Sequence, residues 1–372
     1  MDALLCDELL QEIFHRIPPP SSAVVSLVSK RWRRLLRSST TSLSLHFPPP
    51  YDPTTIASFS AFLTHHPFLS SLSIAGPGGE DPLLLAVASS CPNLRHLRFS
   101  CSPVSPFSLY TLSTSCIHLS SISVTISRPP SFHWLGDHGL SFLWRNCKNV
   151  KKLQLKSCES IGDYSSFSSR EGLLQFINQS RCSLRRLDLR LPLDLDNSHL
   201  IALSENLNFS GLVSLRLQSC CLVDGEGLKA LGRAVADSLE ELALINCDVV
   251  EREPGLLTTL GQSLKKLRRL DLSYNDMLLD KELVSMLVSC NCLAELKLRG
   301  CGRLTNATLG SMIRSRNQLQ HIDIKHCCGI EVDGVEFFVL NAPRLRRVEV
   351  EQSKLSGVAR RWASNKFMEV VC

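Results

Sequence analysis

Sixteen cysteines and eleven histidines are the side chains of this sequence that could ligate a metal, form disulfides or attack an electrophile. Their spacing argues against all three. A tetrahedral metal site needs ligands in close pairs, and no C-x-x-C pair with a second pair or a His-x-His partner occurs. Six cysteines (Cys101, Cys158, Cys220, Cys247, Cys301 and Cys327) instead close copies of one pattern, L-x-x-L-x-L-x-x-C. Four more, Cys91, Cys116, Cys147 and Cys290, stand three residues before the next copy, at the expected ends of helices. Cys220-Cys221 and Cys327-Cys328 are neighbours through this register rather than redox pairs. Thiols placed by a repeat are packing residues, and so many free ones fit a reducing compartment.

The pattern recurs eleven times, starting at Leu69, Leu94, Leu119, Val150, Leu184, Leu212, Leu239, Leu267, Leu293, Leu319 and Leu345. Successive starts lie 25 to 34 residues apart. Such a period with this signature predicts a leucine-rich repeat, each copy giving one short strand and one returning helix. Alternate leucines point to one side of a strand, and no single copy can bury them, so copies must stack. The fold class expected is an α/β repeat, with parallel strands on the concave face and helices on the convex face. Asn275 replaces cysteine in one copy, and its amide suits the same enclosed position. Residues 42–47, SLSLHF, read as a degenerate first strand.

Known catalytic patterns are missing. The sequence holds no G-x-x-x-x-G-K-[ST] phosphate loop, no G-x-S-x-G elbow and no H-E-x-x-H helix, and the glycine-rich stretch Ala75–Glu80 fits no nucleotide fingerprint. No catalytic residue, cofactor or metal ligand is assigned. A net charge of +6 is too small for a dedicated nucleic-acid binder. No apolar run reaches the roughly 18 residues that cross a membrane, and Asp2, Asp7 and Glu8 are wrong for a secretory leader.

Residues 1–38 differ from the repeats. Leu5, Leu9, Leu10, Ile13, Phe14 and Ile17 recur at helical spacing, with Asp7 as N-cap or first-turn acid and Pro18–Pro20 as the stop. Ser21 or Ser22 is expected to cap a second helical stretch carrying Val24, Leu27, Val28, Trp32, Leu35 and Leu36. About forty residues cannot bury so many apolar side chains alone. Something else must cover part of this surface, either the first coil of the array or another protein.

This segment resembles the F-box, through Leu5, Glu8, Leu9, Leu10, Ile13, Phe14 and Ile17 and then Leu27, Val28, Ser29, Lys30, Trp32, Arg33 and Leu35. Cys6 stands where the family usually has proline, and no acidic residue precedes Val24. With the cysteine-type repeats, the whole resembles the F-box/LRR proteins, most closely those of plants. The resemblance implies an F-box over residues 1–41, a repeat solenoid over 42–353 and a cap over 354–372. It implies docking on a Skp1-type adaptor, and through it on a cullin-RING ubiquitin ligase, by Leu5, Leu9, Leu10, Ile13, Phe14, Ile17, Val28, Trp32 and Leu35. The array would then hold a protein target for ubiquitination, in the nucleus or cytoplasm. The alternative is a scaffold or inhibitor without degradation, its N-terminal helices capping the solenoid.

Motif positions three, five and seven face the concave side, in columns with neighbours about 4.8 Å apart. Glu241, Arg269 and Glu295 alternate in sign down one column, and Asp271, Lys297 and Asp323 down another, so cross-strand ion pairs are expected there. Lys152, Lys156, Arg186 and Arg190 form a basic block offset only by Asp188, and Arg299 with Lys325 a smaller one. These six are the candidate contacts for an acidic or phosphorylated target. Two long insertions flank the block, Ser127–Gly139 with Phe132, His133 and Trp134, and the serine-rich Ser160–Gly172. At the far end, Val358 and Trp362 are expected to cover the last coil as a helix, and Lys366–Val371 to add an edge strand.

Overall fold

Leucines at alternate positions build the strands where the repeat calls for them. The computed structural model describes residues 5–18, 22–47, 52–76, 80–101, 105–126, 146–157, 168–190, 195–315 and 318–372. The chain divides into two units, one of residues 1–153 and 157–182, the other of 154–156 and 183–372. The first unit opens with three helices, α1 (Asp7–Arg16), α2 (Ser22–Val25) and α3 (Lys30–Ser39), and carries strands β1 (Ser42–His46), β2 (Ser71–Ala75), β3 (His96–Cys101) and β4 (Ser121–Ile126). Strand β5 (Lys152–Ser157) is divided, its middle residues grouping with the second unit. That unit continues with β6 (Arg186–Arg190), β7 (Ser214–Gln218), β8 (Glu241–Ile245), β9 (Arg269–Asp271), β10 (Glu295–Lys297), β11 (His321–Asp323), β12 (Arg347–Glu349) and β13 (Glu369–Val371). A helix returns the chain between most successive strands, so the α/β repeat expected from the sequence is present.

Each unit stacks its strands in parallel and in sequence order. Ser71 pairs with His96 and His96 with Ser121, while Arg186, Ser214, Glu241, Arg269, Glu295, His321 and Arg347 follow one another in register. The columns read from motif positions are therefore physical rows. The inward leucines of β6 to β12, from Leu187 to Val348, are each no more than 2% exposed. Burying one such side chain contributes about 1.5–3 kcal/mol, and only stacking makes that burial available.

Position nine of the motif ties one coil to the next. The Cys247 thiol donates toward the Leu217 carbonyl at 3.7 Å, Cys301 toward Leu272 at 3.2 Å and Cys327 toward Leu298 at 3.0 Å. Asn275 does the same with its amide, donating to the Leu244 carbonyl at 2.9 Å, and its oxygen accepts from the Cys247 backbone N–H. The helix-end cysteines form a second ladder in the first unit: Cys116 donates to the Cys91 carbonyl, Cys147 to that of Cys116, and Cys182 to that of Cys147. Cys182 belongs to this ladder although it stands two residues, not three, before its motif. Cys158 lies outside the described residues.

Just before position nine the backbone turns left-handed. Ser219, Asn246, Tyr274, Gly300 and His326 take φ values of 57°, 49°, 62°, 72° and 62° at successive coils. Gly300 is constrained twice, since a Cβ there would lie 2.8 Å from the Tyr274 ring. By contrast, Gly310 sits inside the helix Asn306–Arg314 with open space around it.

Several sequence-based expectations need correction. Residues 22–39 form two helices rather than one, because Ser29 is extended and its hydroxyl accepts from the Trp32 N–H at 3.1 Å, capping α3. Of the two roles expected for Asp7, it takes that of first-turn acid, as the first helical residue of α1, while Cys6 holds the N-cap position without a side-chain bond. At the far end, the helix Gly357–Asn365 buries Ala359 and Ala363, while Val358 and Trp362 are 45% and 38% exposed. Small residues win that face because they let the helix lie close to the last coil. Strand β13 adds to β12 in parallel, as the Lys366–Val371 reading anticipated. The insertion Ser127–Gly139 lies outside the described residues, as does most of Ser160–Gly172.

Two outcomes test this framework. Gly300→Ala should destabilise the protein by about 1–2 kcal/mol, whereas Gly310→Ala should stabilise it by about 0.5–1 kcal/mol, both read from denaturant midpoints. The buried thiols set an alkaline limit. Burial pushes Cys116, Cys147 and Cys301 up to about 12 from an ordinary 9.0. A group raised on folding contributes its full stability below the unfolded value and loses it as pH climbs to the folded one. Stability should therefore fall between pH 9 and 12, by about 1.4 kcal/mol per pH unit for each such thiol. Cys301→Asn, which copies Asn275, should flatten that slope in unfolding curves taken at alkaline pH.

Candidate functional site

The helical module at the N-terminus has a core of its own. Leu10, Phe14 and Leu35 are its buried centre, with Leu5, Ile17, Val25, Trp32 and Leu36 packed against them. The Phe14 and Trp32 rings meet at 5.5 Å between centroids, inclined by 60°. The basic run around Trp32 is partly structural. Arg31 binds the Asp7 carboxylate through Nε at 2.8 Å and Nη2 at 2.6 Å, and its Nη2 also reaches the Leu5 carbonyl. Arg33 donates to the Ser26 carbonyl at 3.1 Å. These bonds fasten α3 to the start of α1 and to the segment after α2.

The nine apolar residues that the sequence nominated for adaptor contact therefore do not share one surface. Leu10, Phe14 and Leu35 are interior, and Leu5, Ile17 and Trp32 are half-buried against them. Their contribution is to hold the helices in place. Leu9, Ile13 and Val28 face solvent, at 54%, 45% and 56% exposure. Sequence reading missed two neighbours, Val24 and Leu27, at 68% and 74%. The signal was there: Leu27 and Val28 are adjacent, and both cannot enter one small core. Leu9 and Ile13, four apart on α1, stand on the same side of that helix. An apolar surface on a module with a complete core is what a docking face requires.

Two residues, Thr40 and Thr41, link this module to the repeats, since α3 ends at Ser39 and β1 begins at Ser42. The Thr41 carbonyl accepts from the N–H groups of Ser70 and Ser71, tying the junction into the first pair of strands. No glycine-rich tether intervenes.

On the strand side, several of the charged positions hold one another. Arg190 is clamped by Asp188 through two bonds of 2.9 Å, and Asp188 also accepts from the Gln154 amide. Arg299 reaches Asp323 at 2.9 Å and Glu349 at 3.1 Å. Those two arginines are already neutralised, contrary to the reading of open basic blocks. Arg186 is exposed, and Lys156 and Lys325 are half-buried, in the second unit; Lys152, half-buried, belongs to the first. Arg269 meets Glu241 at 3.2 Å as expected, but Glu295 pairs with Lys297 on its own strand and Asp271 with Arg216 two coils away. Ala243 lies between Arg216 and Asp271 in that row, leaving room for the long reach.

His321 stands between Glu349 at 3.1 Å and Glu295 at 3.6 Å, and Arg347 joins Glu349 to Glu369. Burial would raise the Glu349 carboxyl, but the bonds from Arg347 and His321 outweigh it and hold it below the usual range. Among the described residues no cluster of three or more His, Cys, Asp or Glu side chains could hold a metal ion.

Comparison with known proteins agrees with this division. The F-box domain model matches residues 3–41, and a Leucine Rich repeat model matches residues 212–232, beginning on a motif start. The chain is 23% identical over 418 aligned positions to F-box/LRR-repeat protein 17 of Arabidopsis thaliana, covering 96% of this chain and 68% of that protein. Its fold is similar to a chain in the crystal structure of the Rad7 and Elc1 complex in yeast, with a TM-score of 0.60 and 15% identity, over 95% of this chain and 90% of that one. An F-box followed by leucine-rich repeats, the architecture suggested by the sequence, is what this chain carries.

The core and the surface of the module should respond differently to truncation. Leu10→Ala is expected to cost about 2–5 kcal/mol, because it leaves a cavity among Phe14 and Leu35, while Leu9→Ala should stay within about 0.5 kcal/mol. Thermal or denaturant unfolding of the two variants separates them.

Proposed function

We propose that this chain is the substrate-recognition subunit of an SCF-type (Skp1–cullin–F-box) E3 ubiquitin ligase. Its F-box docks on a Skp1-type adaptor, the strand-side face of the repeats receives a protein target, and ubiquitin transfer takes place on other subunits. One observation carries the reading: five large apolar side chains, Leu9, Ile13, Val24, Leu27 and Val28, remain exposed on a module whose core is already filled. A helical pair serving only as a cap would turn those residues onto the first coil. The likeness to F-box/LRR-repeat protein 17 supports the assignment, and the yeast structure supports it further, being a complex of Rad7 with Elc1.

The target is expected to be acidic or phosphorylated, meeting Lys156, Arg186 and Lys325 within the second unit. Arg190 and Arg299 would contribute only by exchanging their present carboxylates for those of the target, at a cost that lowers their net value. The cysteine ladders suit the reducing nucleus or cytoplasm.

Co-purification with a Skp1-type adaptor tests the proposal. The intact chain should capture the adaptor in stoichiometric amounts. Ile13→Asp and Leu27→Asp, each introducing a charge into the exposed apolar face, should lose capture while melting like the parent, since truncating a central anchor alone costs about 2 kcal/mol or more. Failure of correctly folded parent protein to bind would remove the ligase reading and leave a non-degradative scaffold.

A further inference from the structure

Away from the strand-side face, three successive helix-to-strand turns lead into β11, β12 and β13. They enclose two adjoining clefts of about 480 and 380 Å³, which share Ala342, Pro343 and Arg344 as their common wall. Arg344, Arg346, Lys366 and Trp362 line the larger cleft, and Arg314 and Arg344 the smaller. Among the described residues, neither lining contains an aspartate or glutamate. The floor is apolar: Leu345 and Met368 in one, Leu319 and Phe338 in the other, all buried.

The charge pattern is the informative feature. On the strand side of the same coils, Arg299, Arg347 and Lys354 each have a carboxylate within 4 Å. Arg344 and Arg346 form no ion pair among the described residues, and Lys366 only rests over the Trp362 ring at 5.4 Å. A helix dipole accounts for Arg314, which lies in the last turn of its helix. It does not account for Arg344 and Arg346, which follow the end of the helix Val332–Asn341, because the dipole's effect fades within one turn. Like charges gathered around a concave apolar floor are unfavourable until an anion joins them.

We infer that these clefts bind an acidic, amphipathic peptide segment of a partner protein, with carboxylates on the cationic rim and apolar side chains on the floor. Arginine favours carboxylate because its planar fork can give two parallel bonds. A nucleic-acid strand fits less well, since it needs aromatic rings spaced for successive bases and the lining offers Trp362 alone, already covered by Lys366. The site lies within the second unit and does not depend on adaptor docking.

The test is fluorescence anisotropy with a labelled peptide of alternating glutamate and leucine. The parent chain should bind it, more weakly as salt rises. Arg344→Glu with Arg346→Glu should weaken binding at least about tenfold. The control, Arg181→Glu with Arg185→Glu, makes the same change in net charge at exposed positions that line neither cleft and should leave affinity near that of the parent. All chains are checked by thermal melt. Trp362→Ala should weaken binding without changing net charge. Equal loss in both double variants would reduce the effect to net charge and overturn the site, as would no binding by the parent. Tighter binding of a single-stranded oligonucleotide that Arg344→Glu with Arg346→Glu abolishes would overturn the peptide assignment.

Discussion

Parallel stacking in strict register is the constraint on which the rest of this structure depends. Each coil presents one narrow apolar edge to the next, and the coil-to-coil spacing must suit backbone hydrogen bonds and packed leucines together. A donor at motif position nine keeps that spacing, by handing a hydrogen to a carbonyl of the preceding coil. Cysteine and asparagine can exchange there because the site asks for a small group with one donor in the right place. The amide is the better donor, and Asn275 also accepts from the Cys247 backbone N–H of the preceding coil. The thiol is smaller and costs less to bury. The sulfur chemistry that the composition seemed to promise is thus spent on geometry.

Register also decides what the outward side chains can do. It brings charges into rows, but a row fixes only Cα positions, and long side chains then choose among several partners. Arg216 passes over Ala243 to Asp271, and Glu295 prefers Lys297 beside it on the same strand. Arg299 spans to both Asp323 and Glu349. Sign alternation down a column was legible in the sequence; the identity of each pair was not, because pairing depends on rotamers and on gaps left by small neighbours. For the same reason Arg190 looked free beside a single aspartate, when that aspartate was sufficient to clamp it.

The fold was legible because its period repeats: eleven copies of one pattern overdetermine strand positions and order. The N-terminal module has no such redundancy. Helical periodicity marked Leu10, Phe14, Ile13 and Leu9 alike as apolar, and only packing separated the first two from the others. Ser29 shows a similar limit. As an N-cap it breaks what looked like one amphipathic stretch into two helices, turning Leu27 and Val28 outward. A serine before a lysine and three residues before the stacking tryptophan was the available clue. At the C-terminal end the pattern misled in the opposite direction, toward the large residues Val358 and Trp362, when close approach favoured alanine.

The two kinds of surface differ in what a partner must displace. The strand-side face of the second unit is largely self-satisfied, and a target touching Arg190 or Arg299 must first replace carboxylates held at 2.9–3.1 Å. Binding there would gain selectivity more readily than affinity, since only a partner that restores every bond avoids a desolvation penalty. Exposed apolar side chains on α1 and after α2 carry no such debt. They lose only water on contact, so a small module can hold a partner firmly. On the proposed reading, firm attachment through the helical module and exacting recognition by the second unit is the division of labour that these residues favour. The short junction from Ser39 to Ser42 spares the chain a flexible tether between the module and the first strands.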